Sequence, residues 1–161
     1  MEKHIFSSLP LGRSLAIVAK CYFGALSKRL EHLEIERYYS ILILIENAEA
    51  GCTQQYLCSV LKMDKVSMVR VMEYLVNKDF VQKSPNPNDK RENFVKLTSK
   101  ALAVLPEIHT CIDEVNEAAM RGLNLDQQYE LHKNICLIQK NLEVLPSQKI
   151  YISYKKASRK I

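Results

Sequence analysis

The stretch TQQYLCSVLKMDKVSMVRVMEYLVNKDFVQK, Thr53–Lys83, decides how this chain folds. Thr53 is a good helix N-cap, because its hydroxyl can take a first-turn N–H that has no intrahelical partner. It predicts a short helix to about Val60, with Tyr56, Leu57, Val60 and Leu61 facing inward. Asp64 caps a second helix, Lys65 to about Lys78, after a tight Leu61-Lys62-Met63 connection. Two short helices joined this way form a helix-turn-helix. At about 100° per residue, Met68, Val71, Met72 and Leu75 share one face of the second helix. Val66, Arg70, Glu73 and Asn77 point the other way, with Ser67 and Val69 on the flanks.

Directly downstream, Phe80-Val81-Gln82-Lys83 and Phe94-Val95-Lys96-Leu97 flank the Pro/Asn-rich run Ser84–Asn93. Two β-prone segments around such a run read as a hairpin with a long, charged tip. Upstream, Leu11, Leu15, Val18, Tyr22, Leu26, Leu30 and Leu33 recur at steps of three and four, which predicts one amphipathic helix. A second helix covers about Glu36 to Ala48, where the all-apolar Ile41–Ile45 suggests burial from several sides, and Gly51 stops it. Thr98 caps a long helix to about Arg121, with a kink expected at Pro106, and Gly122 ends it. Asn124 caps the last helix, to about Val144, with Leu131, Ile135, Leu137, Ile138, Leu142 and Leu145 as its apolar positions. The expected fold is therefore mainly α with a small β-hairpin wing: a winged helix-turn-helix flanked by long helices on either side. The divisions are 1–35 (N-terminal helix), 36–98 (winged helix-turn-helix lobe), 99–146 (C-terminal helices) and 147–161 (basic tail).

The net charge of +5 is unevenly spread: zero over 1–59, +4 over 60–100, −4 over 101–145 and +5 over 146–161. A basic centre suits a polyanion, although a solvated charged face is the plainer alternative. Apolar residues make up 47%, ordinary for a folded domain, and no window approaches about 18 uninterrupted apolar residues, so no membrane span is expected. MEKHIFSSLPLGRS has no secretory pattern, and the five scattered cysteines contain no C-x-x-C pair. Both point to a reduced, cytoplasmic compartment. No Gly-rich phosphate loop, nucleophile elbow or carboxylate–histidine cluster is present, and His4, His32, His109 and His132 are dispersed, so an enzyme is not expected.

The second helix of a helix-turn-helix lies in the major groove, where base edges distinguish all four pairs. Arg70 is the candidate for a bidentate guanine contact, and a thymine methyl would suit the outward Val66. On periodicity alone, Lys65 and Arg70 could equally serve to solubilise the helix. The run Thr53–Cys58 through Met63–Arg70, followed by Pro87-Asn88-Asp89-Lys90-Arg91 and Val95-Lys96-Leu97-Thr98, resembles the MarR family over residues 11–145. The wing signature Asp-x-Arg then Leu-Thr is its most specific part.

That resemblance implies a homodimer on double-stranded DNA, with 1–35 and 99–146 as dimerisation helices, 36–98 as the DNA-binding lobe, and recognition helices related by a two-fold axis on a pseudo-palindromic operator. It implies Val66, Ser67, Val69 and Arg70, with Lys65 beside them, at the major groove. Arg91 would enter the minor groove, held by Asp89 and flanked by Lys90. Lys62 and Asp79 depart from the family, standing where glycine is usual. Val66 and Val69 replace the usual Ser or Thr and point to a different operator.

Family members release DNA when an effector changes the spacing of the two recognition helices, and a small molecule is the default effector. Tyr38 and Tyr39 are candidates to line its pocket, or core aromatics. Cys21 is better read as packing than as a sensor. The pairs His132/Cys136 and Glu107/Cys111 are too few for a tight metal site, so no metal or cofactor is expected. Two other readings stay open: a winged helix that binds protein, and one that holds DNA through charge alone. The tail cations Lys149, Lys155, Lys156, Arg159 and Lys160 would add phosphate contacts or simply keep the chain soluble.

Overall fold

The computed structural model describes residues 9–35, 37–48, 51–85 and 93–146. Along the chain run α1 (Leu11–Arg29), a 3-10 turn (Glu31–Leu33), α2 (Tyr39–Glu46) and β1 (Cys52–Thr53). Next come α3 (Gln54–Val60), α4 (Lys65–Asn77), β2 (Val81–Pro85) and β3 (Asn93–Leu97). Two long helices follow, α5 (Ser99–Met120) and α6 (Leu125–Glu143).

Four of the helices start where a capping side chain stands. Thr53 Oγ1 accepts from the Tyr56 N–H at 3.1 Å and Asp64 Oδ1 from the Ser67 N–H at 3.0 Å. Thr98 Oγ1 accepts from the Ala101 N–H at 3.2 Å. Asn124 and Gln127 cap each other reciprocally, both bonds at 2.9 Å, so two otherwise orphaned donors of α6 are satisfied at once.

The strands form an antiparallel sheet in the order β1-β3-β2. Val81 pairs with Leu97 and Pro85 with Asn93, the expected hairpin. The pairing of Cys52 with Val95 and Thr53 with Phe94 adds a strand that periodicity could not indicate, since two residues show no alternation. Gly51 feeds it with φ +91°, and a Cβ there would stand 2.8 Å from the Phe94 ring.

The core joins α1, α2, α3, α4, α5 and the sheet. Leu26, Ile41, Leu57, Met72, Leu75 and Ile108 are fully buried in it. Several expectations are corrected. Helix α1 stops at Arg29 rather than Leu33, because the chain turns through the 3-10 segment into a left-handed Glu34 (φ 54°). Helix α2 starts at Tyr39, later than Glu36. Tyr56 and Val60 are exposed rather than inward, since Leu57 takes the inner face of the short seven-residue helix. As expected, α5 is one long helix; it runs on through Pro106, whose carbonyl accepts from the Thr110 hydroxyl at 2.9 Å.

The apolar stripe of α1 is split. Leu26 and Leu30 are buried, but Leu11, Leu15 and Val18 are exposed. Helix α6 has no buried residue at all, leaving Leu131, Ile135, Leu137 and Leu142 uncovered.

Candidate nucleic-acid interface

Helix α4 presents one face to the core and one to solvent. Met68, Val71, Met72 and Leu75 are buried. Lys65, Val66, Val69, Arg70, Glu73 and Asn77 are exposed, while Ser67 is half-buried with its N–H engaged by Asp64. Hydrogen bonding from Ser67 holds the Asp64 carboxyl below its ordinary range, so this cap is ionised and favours the positive end of the helix.

Both ends of the unit are left-handed turns without glycine. Lys62 has φ 50° and Asp79 φ 58°. Past Asp79 the chain is tied down tightly. The Thr98 hydroxyl donates to the Asp79 carbonyl at 2.6 Å, and Lys100 Nζ donates to the Lys78 carbonyl at 2.7 Å while lying 4.4 Å over the Phe80 ring. Lys78 pairs with Glu34 at 2.7 Å, and the Tyr74 hydroxyl donates to the Glu34 carbonyl. The angle of α4 is thus set by α5 on one side and by the α1–α2 connection on the other.

Beside α4, a cleft of about 220 Å³ opens between α3, α4 and β3, lined by Gln54, Cys58, Lys65, Val69 and Asn93 among others. Gln54 and Asn93 carry no sequence signal as neighbours of the reading face, because only the fold brings them there. Lys83 and Lys96 add exposed charge on the wing strands. Asp89, Lys90 and Arg91 lie outside the described residues.

The other candidates are scattered. Tyr38 and Tyr39 are buried in the core, Tyr38 edge-on to Tyr74 with centroids 5.2 Å apart. Cys21 is exposed rather than packed, as is Cys136. Cys52 is buried, and burial pushes its thiol up to about 11, making it a poor nucleophile. Glu107 pairs with His32 at 2.7 Å rather than with Cys111. Among the described residues, no three His, Cys, Asp or Glu side chains gather as a metal site, and no helix is long and apolar enough to cross a membrane.

A model of the MarR family matches residues 35–92, the stretch from the start of the lobe into the wing. A solved structure of mutant MarR from Escherichia coli complexed with operator DNA is 31% identical, with a TM-score of 0.73. The alignment covers 83% of this chain and 94% of that one. The chain belongs to the MarR family. Members of this family are transcriptional regulators and not enzymes, and the winged helix-turn-helix described above is the MarR fold. The multiple antibiotic resistance protein MarR of Escherichia coli strain K12 is 29% identical over 120 residues, 74% of this chain and 83% of that protein. The transcriptional regulator SlyA, 20% identical, shares the fold with a TM-score of 0.77, over 83% of this chain and 94% of its own.

Proposed function

We propose that this MarR-family regulator is a cytoplasmic repressor that reads a pseudo-palindromic DNA operator as a homodimer and is modulated by a small effector. The observation that carries the reading is the outward face of α4. Lys65, Val66, Val69 and Arg70 stand exposed on a helix whose opposite face is buried. Arg70 reads guanine, and Ser67 lies at the edge of the contact. Arg91 enters the minor groove, with Asp89 holding it and Lys90 on phosphate. The operator-bound Escherichia coli relative supports this assignment by similarity.

Dimerisation is supported by what one chain leaves uncovered. Leu11, Leu15 and Val18 of α1 and the apolar side chains of α6 are exposed, and burying each is worth roughly 1.5–3 kcal/mol. Residues 1–35 and 99–146 would supply this interface and 36–98 the reading lobe. An effector near Tyr38 and Tyr39 would act by loosening the core behind α4, because both rings are buried there.

Fluorescence anisotropy with the duplex upstream of the protein's own gene and a scrambled duplex, over a salt series, tests the reading. Tighter binding to the upstream duplex is expected, weakened by Arg91→Ala. Arg70→Ala should lose roughly 1–3 kcal/mol of discrimination. Equal, steeply salt-dependent binding to both would mean attachment by charge alone. Absence of binding at low salt would redirect the search to a protein partner. Sedimentation at twice the chain mass is the expected result for the dimer.

A further inference from the structure

Resting on the DNA-reading function above, we propose that Val66 and Val69 together read thymine C5-methyl groups on neighbouring base pairs of each operator half-site. Val66 is 63% exposed and Val69 43% exposed. Single exposed apolar side chains are common and call for no explanation. These two, however, occupy one turn of the helix whose Lys65 and Arg70 are also exposed. That charge favours a polyanion over an apolar protein surface.

The geometry suits a base-edge contact. Residues at i and i+3 are neighbours on a helix surface, separated along the axis by about 4.5 Å. That is close to one duplex step of about 3.4 Å. A helical valine has one strongly preferred rotamer, so its methyls go where the backbone sends them. Here the backbone is held by the Asp64 cap and the buried Met68 and Met72.

The chemistry narrows the target. An isopropyl group neither donates nor accepts a hydrogen bond. Against the polar edges of guanine, cytosine or adenine it would displace water without replacing its bonds. The thymine methyl is the apolar feature of the major groove. Serine at these positions would read hydrogen-bonding edges, whereas valines select methyls.

The test starts from duplexes with a randomised centre of about 20 base pairs, two half-sites long, enriched with the full-length protein. The winning duplex is then remade with deoxyuridine at each thymine in turn, which removes only the methyl. Deoxyuridine at neighbouring positions in each half-site should weaken wild-type binding roughly fourfold per methyl. Val66→Ser and Val69→Ser should each erase the penalty at one position while keeping the dependence on the guanine facing Arg70. Binding indifferent to deoxyuridine at every thymine would overturn methyl reading and leave DNA reading intact. A penalty that survives both valine variants would overturn the assignment to these residues. A pool that fails to enrich would overturn the DNA-reading function itself.

Discussion

The Thr98 hydroxyl joins the recognition helix to the long helix beyond the wing, donating to the Asp79 carbonyl at 2.6 Å and accepting from the Ala101 N–H at 3.2 Å. One side chain therefore closes the left-handed turn after α4 and opens α5. The adjacent Thr98 N–H donates to the Phe80 carbonyl at 3.1 Å, so the same residue is bonded on both sides of the turn. The end of α4 and the start of α5 are thus hydrogen-bonded through one residue. Thr98 is in this sense a joint between the two helices.

Thr98→Ala removes both hydroxyl bonds from a half-buried position, at a cost of about 1–2 kcal/mol. Thr98→Ser keeps them and should remain close to wild type. Urea denaturation midpoints of the three proteins decide the matter. An alanine variant as stable as wild type would show that the joint carries no energy.

Lys62 and Asp79 hold φ values of 50° and 58° without being glycine. A left-handed conformation costs an ordinary L-residue roughly 1–2 kcal/mol, part of which glycine gives back as unfolded-state entropy. Lys62→Gly should therefore stabilise the protein by about 0.5–1 kcal/mol. Asp79→Gly should gain less, because Asp tolerates this region better. Thermal unfolding of both variants reads the difference.

Gly51 is the reverse case. Its φ of +91°, and the 2.8 Å that would separate a Cβ at this position from the Phe94 ring, leave no room for a side chain. Gly51→Ala should cost about 2 kcal/mol or more, from backbone strain and displacement of Phe94. The loss should concentrate on β1, which pairs with β3 through Thr53 and Phe94, and amide exchange at those residues would report it first.

The Glu34–Lys78 pair sets a pH dependence with a definite sign. Hydrogen bonding and the charge of Lys78 hold the Glu34 carboxyl below its ordinary value of 4.5. A depressed folded value means the contribution is present above 4.5 and is lost as the pH falls through the lower, folded value. Lys78 is held above its ordinary 10.5 by Glu34, so its contribution is present below that value and fades at still higher pH. Glu34→Gln should flatten the acid limb of a Tm-versus-pH profile and leave the slope around neutrality unchanged. The effect should shrink with added salt, since both groups are exposed.

Much of the lobe is legible directly from the chain. The caps Thr53, Asp64, Thr98 and Asn124 all stand where their residue types place them, because an N-cap is a local bond between a side chain and an N–H two or three residues away. The two faces of α4 follow from periodicity for the same reason. What periodicity misplaces depends on distant partners. Tyr56 and Val60 fit an inward pattern, yet one short helix can bury only what its neighbours cover, and Leu57 fills that space. Strand β1 is invisible in the sequence because its ladder partner, β3, lies some forty residues away along the chain.

Sequence alone determined the order of the helices and of the two wing strands, the four capped helix starts, the buried face of α4 and the family, since each rests on contacts within a few residues or on a motif at fixed spacing. Tertiary structure decided the rest. It set Lys62 and Asp79 in left-handed turns, tied Glu34 to Lys78 and Thr98 to Asp79, and gathered Gln54 and Asn93 beside Val69. It also left the apolar face of α6 bare. Those are properties of surfaces brought together from far apart in the chain, and periodicity records which side of a helix is apolar but not what, if anything, packs against it.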